Sequence, residues 1–149
     1  MHYTIHPELP AADIQRARSW YKDKLGLDPV TVGGEPFDAD IVAEAGESPF
    51  EEMLYDTGTA KFGVYQSPHA GRNLATAARL VTDVFDAAHA ELVANGVVFE
   101  VYPIEGNFSS GEHEPQPFWD NGVLISPDGE KTAWFKDSEG NTLAIGSSD

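Results

Sequence analysis

Apolar side chains recur at helical spacing in two segments of the chain. One face of the first segment is formed by Ile14, Ala17, Trp20, Tyr21 and Leu25. The corresponding face of the second segment is formed by Val84, Ala87, Ala88 and Leu92. Spacings of three and four residues are typical of amphipathic helices that bury one side. The pattern therefore predicts two helices, each with an apolar face suited to packing on a sheet.

Short extended segments surround each predicted helix. "YTIHPEL" precedes the first helix and "TAARLV" precedes the second. The strand candidates after the first helix are "PVTV", "EEMLYD" and "AKFGVYQ", and those after the second are "VVFEVY", "GVLIS", "TAWFK" and "TLAIG". Turn signals such as "SPDGE" and "DSEGN" separate them. Each half is therefore interpreted as a βαβββ module, with one strand candidate more than that pattern needs in the second half, and the chain is predicted to be an α+β protein.

The two halves align as an internal repeat without a gap. Asp13 falls on Asp83, and Gly26 falls on Gly96. Both aspartates are predicted to cap a helix N-terminus, and both glycines to end a helix in the left-handed conformation. The repeat predicts a single domain, residues 1–149, with one module at about 1–68 and the other at about 74–149.

Two stretches interrupt this pattern. Residues 35–49 are acidic and irregular, and residues 103–122 form a long segment rich in Gly and Pro. A loop of that length inside a compact domain is usually either functional or disordered. The aromatic side chains of Phe108, Phe118 and Trp119 favour a lid that folds over an apolar ligand.

Composition and charge narrow the choice of partners. The chain has 149 residues, no cysteine and a formal charge of −16. The lack of cysteine excludes disulfides, thiolate zinc sites and cysteine nucleophiles, and it favours the cytoplasm. Such an acidic surface repels phosphate, so neither nucleic acid nor a membrane is expected as a partner. The acidity has two explanations, which are solubility and an electrostatic trap for a cationic ligand.

The paired βαβββ modules resemble the vicinal oxygen chelate superfamily, which includes glyoxalases, bleomycin-resistance proteins and extradiol dioxygenases. "LPAADIQRARSWYKDKLGL" resembles the first helix and following turn of that family, and "WFKDSEGNTLAI" resembles its last hairpin. The resemblance covers nearly the whole chain. It implies a glyoxalase-like curved mixed sheet that forms a cup, but it does not choose a reaction, because the fold hosts many chemistries.

Metal-using members of that family hold a divalent ion on the concave side of the cup. Carrying their ligand positions over places His6 at the first, and Thr76, Gly63 and Ala144 at the other three. Glu8 shares the face of His6 at strand spacing and can add one oxygen. Catalytic metal sites generally need about three protein ligands. The resemblance therefore implies a protein without the usual metal, and no cofactor is expected.

The candidate ligand-binding residues are His6, Glu8, Lys61, Tyr65, Trp119 and Trp134. His6 and Glu8 are also the candidate acid–base residues if the protein is an enzyme, because imidazole titrates near neutrality. The catalytic residues are otherwise unknown. Lys61, Gly63 and Tyr65 alternate along one strand and share a face, where Gly63 leaves room for a ligand.

Predictions for four aromatic positions and one histidine complete the set. Trp134 and Phe135 alternate on a strand, so one of the two is expected to line the cup. Trp20 and Tyr21 on the first helix are expected in the core. His89 on the second helix is expected at the surface.

Three functions stay open. The first is a protein that binds a small cationic or aromatic molecule, as bleomycin-resistance proteins do. The second is a lyase, isomerase or dioxygenase of the glyoxalase-like class, with an unusually held metal or with His6 working beside Glu8 or Tyr65. The third is a partner-binding module with a vestigial cup. The binding protein is preferred, and the resemblance implies a homodimer because members of that superfamily commonly dimerise.

Overall fold

The computed structural model of the protein describes residues 2–39, 52–103 and 115–148. In chain order its elements are β1 (Glu8–Ala11), α1 (Ile14–Leu25), β2 (Thr31–Val32), β3 (Glu35–Pro36), β4 (Glu52–Asp56), β5 (Lys61–Gln66), β6 (Thr76–Thr82), α2 (Phe85–Ala94), β7 (Phe99–Glu100), β8 (Phe118–Asp120), β9 (Val123–Ile125), β10 (Lys131–Lys136) and β11 (Thr142–Ser147). The chain divides into two compact units. The first unit is Met1–Ala77 with Asp137–Asn141, and the second is Ala78–Lys136 with Thr142–Asp149. The turn between β10 and β11 thus belongs to the first unit.

Helix α1 begins and ends at the predicted residues. The carboxylate of Asp13 accepts a hydrogen bond from the N–H of Arg16 at 2.9 Å, a cap that contributes about 1 kcal/mol. Gly26 ends the helix with a φ of 67°, the left-handed conformation that favours glycine. The apolar spacing therefore predicted this element correctly.

The sheet of the first unit has the strand order β1-β5-β4-β2-β3. Strand β1 runs parallel to β5, and β4 runs antiparallel to β5. Tyr21 of α1 is buried, and its ring centroid lies 5.2 Å from that of Tyr55 and 5.7 Å from that of Phe62. Because α1 packs on the side of the sheet that carries Tyr55 and Phe62, the alternate strand residues point the other way.

The sheet of the second unit has the strand order β6-β11-β10-β9-β8, with β7 also paired to β10. One side of this sheet carries Phe99 and Phe135, whose ring centroids lie 5.6 Å apart. The ring of His89 stacks 5.9 Å from Phe85 and 4.4 Å from Phe99, and burial lowers its pKa. The Nε2 atom of His89 is buried without a hydrogen-bond partner in the described structure. The prediction that His89 lies at the surface is therefore wrong.

Helix α2 begins differently from α1. Its N-cap residue is Val84, which offers no side-chain hydrogen bond. The hydroxyl of Thr82 instead accepts from the N–H of Val84 at 3.1 Å. The predicted cap at Asp83 is wrong, because the helix starts one residue later than the gapless repeat requires. Gly96 has a φ of 81°, so its predicted left-handed conformation is confirmed.

Both irregular stretches are described only in part. The prediction of a lid over residues 103–122 falls mostly on residues 104–114, which lie outside the described residues. The end of that stretch is not a loop, because Phe118–Asp120 forms β8 and Trp119 pairs with Leu124 of β9. In the stretch 35–49, Glu35–Pro36 forms β3, and residues 40–51 lie outside the description. None of the helices described is long and apolar enough to cross a bilayer.

Candidate functional site

The side of the first sheet that points away from α1 carries most of the predicted polar residues. We call it the acidic face, and it is formed by Glu8, Glu52, Asp56, Lys61, Gly63 and Tyr65. The register fixes this arrangement, because Glu8 is paired with Gly63 and Glu52 with Tyr65. The residues that alternate with them, such as Leu9 and Val64, are buried on the opposite side. Strand alternation thus brings Lys61 and Tyr65 to one face, as predicted, and the pairing of β1 with β5 places Glu8 on that face as well.

The carboxylate of Glu8 lies directly over Gly63. It occupies the space that a Cβ at Gly63 would need. Burial raises the pKa of Glu8, the nearby carboxylate of Glu52 raises it further, and the charge of His6 acts in the opposite direction. The space above Gly63, predicted to leave room for a ligand, is therefore filled by a side chain of the protein. A ligand on this face would meet Glu8 rather than a bare strand.

The other predicted residues of the acidic face are held less closely. Lys61 forms an ion pair with Asp56, with 3.6 Å between Nζ and Oδ2. Tyr65 leaves 39% of its surface exposed. His6 precedes β1 and is also exposed. These side chains are accessible to a solute, and the face as a whole carries more negative than positive charge.

The described residues do not fit a divalent metal. His6 stands alone at the family's ligand positions, since Gly63 has no side chain and lies under Glu8, Thr76 begins β6, and Ala144 is buried and paired with Trp134. Within residues 2–39, 52–103 and 115–148, no three His, Asp or Glu side chains converge as a metal site would require. We therefore derive no chemistry through a metal, and the absence of one stays a prediction.

Three aromatic side chains gather on one side of the second sheet. The indole centroids of Trp119 and Trp134 lie 6.0 Å apart at an angle of 63°, and that of Trp134 lies 6.1 Å from the Tyr102 ring at 84°. Such edge-to-face contacts are the favoured geometry of aromatic pairs. All three side chains are half-buried, so each still presents ring surface to solvent. Phe135, the neighbour of Trp134, is fully buried on the opposite side.

Hydrogen bonds hold two of these rings, Trp119 and Tyr102, in place. The Nε1 of Trp119 donates to the backbone carbonyl of Tyr102 at 2.9 Å. The hydroxyl of Tyr102 donates to Glu100. Burial, the larger cause, and the Glu100 carboxylate, the smaller one, together raise the pKa of Tyr102 to about 12. Lys136 lies 3.7 Å from Glu100 and donates to the Thr142 hydroxyl at 2.8 Å. Trp119 and Tyr102 are therefore preorganised, which reduces the entropy lost when a ligand binds.

Arg79 of β6 completes this surface. Its guanidinium occupies the space that a Cβ at Gly146 would need. Gly146 is paired with Thr132, which lies two residues before Trp134 on the same side of β10. We call this surface the tryptophan face, and it is formed by Arg79, Glu100, Tyr102, Trp119, Trp134 and Lys136.

Sequence reasoning found Trp119 and Trp134 but missed the polar members of the tryptophan face. Glu100 and Tyr102 alternate within "VVFEVY", and Lys136 alternates with Trp134, so strand periodicity could have found them. Arg79 carried no comparable signal, because its place depends on the pairing of β6 beside β11.

A separate open cleft of about 620 Å³ lies at the N-terminus of α2. Its charged lining residues are Asp83, Asp86, Asp128, Glu130 and Lys131. Lys131 already donates to Asp86 at 2.7 Å. No candidate ligand-binding residue lines this cleft. The described lining is thus an acidic, solvated groove, and the two sheet faces remain the candidate sites.

Comparisons with known proteins bear on which chemistry these faces serve. A profile of the Glyoxalase/Bleomycin resistance protein/Dioxygenase superfamily matches residues 3–145. A comparison with curated proteins found no match.

Several solved structures share the fold. A bleomycin-binding protein complexed with bleomycin is 17% identical, with a TM-score of 0.60 over 99% of this chain and 100% of that one. A glyoxalase/bleomycin resistance protein from Catenulispora acidiphila is 16% identical, with a TM-score of 0.61 over 99% of this chain and 100% of that one. FosX from Listeria monocytogenes, complexed with Mn(II) and sulfate, is 10% identical, with a TM-score of 0.58 over 100% of this chain and 94% of that one. At these identities the likeness shows the fold alone, and it confirms the predicted α+β architecture.

Proposed function

The chain belongs to the glyoxalase/bleomycin resistance protein/dioxygenase superfamily, and from that premise we propose that it binds a small molecule whose aromatic group packs on the tryptophan face. The observation that carries this proposal is the pair of half-buried indoles of Trp119 and Trp134, whose centroids lie 6.0 Å apart, with Trp119 held by a hydrogen bond to the carbonyl of Tyr102. Ligand sites typically combine such apolar walls with a few polar groups that set orientation. Glu100, Lys136 and Arg79 supply those groups here.

The acidic face supports the alternative of a cationic ligand. Besides burial, the nearby carboxylate of Glu52 raises the pKa of Glu8, and the formal charge of the chain is −16. A cation bound mainly by these carboxylates would lose affinity as salt rises. A ligand bound mainly by aromatic packing would be nearly insensitive to salt, so the two alternatives are separable.

Substitution of Trp134 by alanine is expected to weaken binding at least tenfold. The indole contributes a large apolar contact area to the binding free energy. A loss of about 1.4 kcal/mol of binding free energy corresponds to a tenfold increase in Kd. The probes are metal-free bleomycin, because a protein of the same fold is complexed with it, and 2-naphthamide, a neutral planar aromatic. Binding is followed by the NMR signals of the three indole N–H groups, at low and moderate salt.

Trp20 on α1 provides the internal control for that titration. We expect both probes to shift the signals of Trp119 and Trp134 and to leave the signal of Trp20 in place. No shift with either probe, or equal affinity in the Trp134→Ala variant, would contradict the proposal. Stoichiometric Zn, Ni, Mn or Fe in the purified protein would contradict the metal-free part and favour the enzyme alternative.

We also propose that the protein is a homodimer. Tyr3 and Ile5 of the first unit leave 81% and 87% of their surface exposed, and a second copy of the chain that covered both would remove their apolar area from water. Sedimentation velocity over a range of concentrations is expected to give twice the mass of the chain. The Ile5→Asp variant is expected to shift the equilibrium towards monomer. A monomer at every concentration would rule the proposal out.

A further inference from the structure

Arg79 is a charged side chain of the tryptophan face that forms no ion pair with any carboxylate of the described residues. Lys136 is paired with Glu100 at 3.7 Å, and elsewhere in the second unit Lys131 is paired with Asp86 at 2.7 Å. Among residues 2–39, 52–103 and 115–148, no carboxylate lies within ion-pair distance of the Arg79 guanidinium. Carboxylates are abundant in a chain of formal charge −16. Arg79 is thus an available cation in a protein rich in anions.

The position of Arg79 depends on glycine. Its guanidinium lies over Gly146, where any larger residue would displace it. Gly146 is paired with Thr132, and Trp134 is the next residue of β10 on the same side. Diagonal neighbours of this kind across a sheet are about 7–8 Å apart. The strand position beneath the guanidinium and that of Trp134 are therefore spaced to suit a ligand that carries a carboxylate next to an aromatic ring.

We infer that Arg79 binds the carboxylate of an aromatic acid whose ring packs on Trp119 and Trp134. This inference rests on the proposed function and names the class of ligand for the same face. Guanidinium stays protonated at all physiological pH values, and its planar fork matches the two oxygens of a carboxylate. A ligand ring packed on Trp134 would exclude water from one side of that contact, which strengthens the electrostatic attraction.

The negative charge of the whole chain does not prevent this binding. Charges more than about 8 Å away are largely screened at physiological salt. On the tryptophan face itself, Glu100 is compensated by Lys136 at 3.7 Å and accepts a hydrogen bond from Tyr102. Among the described residues no carboxylate compensates the positive charge of Arg79, so the field that they create at the ring-binding surface favours an anion.

A protective role for Arg79 is the competing explanation. Strand β6 lies at the edge of its sheet, and charged side chains commonly keep such edges from pairing with other chains. An arginine that serves only this purpose would not discriminate between ligands. Discrimination between an acid and its amide therefore separates the two explanations.

The test compares 2-naphthoate with 2-naphthamide, which share the ring and differ in charge. Both are titrated against the full chain, with the indole N–H signals of Trp119 and Trp134 as the readout. We expect the wild-type protein to bind the acid at least tenfold more tightly than the amide. The Arg79→Gln variant is expected to lose this preference, and Arg79→Lys to keep part of it. Arg72→Gln, which removes the same charge from an exposed loop residue, is expected to keep it in full.

Each outcome decides between the possibilities. Equal affinity of the wild type for acid and amide, or equal effects of Arg79→Gln and Arg72→Gln, would overturn the role of Arg79 while leaving the aromatic site intact. Failure of both probes to shift the Trp119 and Trp134 signals would overturn the proposed function and this inference together. Loss of the preference in Arg79→Gln alone, with amide affinity unchanged, supports the inference.

Discussion

Replacing Glu139 with glutamine is expected to lower the free energy of unfolding by about 3 kcal/mol. The Glu139 side chain is 0% exposed. Its Oε2 accepts from the N–H groups of Ala12 and Asp13 at 2.9 and 3.0 Å and from Nη2 of Arg16 at 3.0 Å. Its Oε1 accepts from Nε of Arg16 at 2.8 Å and from the Ser138 hydroxyl at 3.0 Å. Glutamine turns one of these oxygens into a donor, so in either orientation two or three donors lose their acceptor.

Urea denaturation followed by circular dichroism measures this loss, with Glu91→Gln as the matched control. Glu91 is exposed on α2, and its substitution removes the same charge. A surface change of that kind is expected to alter stability by less than about 0.5 kcal/mol. Equal losses in the two variants would show that the hydrogen bonds of Glu139 contribute no net stability.

The contribution of Glu139 to the free energy of unfolding is expected to decrease as the pH is lowered. Burial raises its pKa, but hydrogen bonds from Arg16, the Asp13 backbone and Ser138 outweigh burial and hold the pKa below its ordinary value. A carboxylate with a lowered folded pKa stabilises the protein above its unfolded pKa of about 4.3, and this stability is lost as pH falls through the folded pKa. The difference between wild type and Glu139→Gln should therefore be constant from about pH 7 to pH 5 and shrink below about pH 4.3. A difference that grows on acidification would contradict this account.

The sequence predicted those parts of the fold that depend on local signals. The apolar spacing of α1, its cap at Asp13 and its stop at Gly26 all lie within one short segment, so neighbours in sequence determine them. The predicted cap of α2 at Asp83 is wrong because the helix begins at Phe85, so that Val84 occupies the N-cap position, and no local signal distinguished this start from the one that the repeat implied. Strand β8 was missed for the same reason, since Trp119 becomes a strand residue only by pairing with Leu124.

The candidate site divides in the same way. Alternation along single strands placed Lys61 with Tyr65 and separated Trp134 from Phe135 before any pairing was known. The covering of Gly63 by Glu8 could not be predicted, because it requires β1 to lie beside β5 in one particular register. Contacts between neighbouring strands carry the chemistry of both faces, and a single sequence specifies such contacts only weakly.

Substitution of Gly71 by alanine is expected to lower the free energy of unfolding by about 3 kcal/mol. Gly71 has a φ of 70°, a conformation that costs an L-residue about 1–2 kcal/mol. An added Cβ would lie 2.8 Å from the carbonyl oxygen of Glu139 and 3.5 Å from Cα of Gly140. The nearest contact is with backbone, and the Glu139 side chain is anchored by its hydrogen bonds, so the turn Asp137–Asn141 cannot easily move away. Overpacking of this kind adds about 1–3 kcal/mol.

Gly58→Ala is the matched control, because Gly58 has a φ of 87° and nothing lies within 4 Å of the Cβ it would gain. The Gly58→Ala variant places an alanine at a positive φ but creates no close contact for its Cβ. It should therefore lower the free energy of unfolding by about 1–2 kcal/mol. The difference between the two variants, about 2 kcal/mol, then measures how firmly the turn holds its position against Gly71. Equal losses in Gly71→Ala and Gly58→Ala would show that the turn yields. In that case the hydrogen bonds of Glu139 would not fix its backbone, and the loss expected for Glu139→Gln would have to be smaller as well.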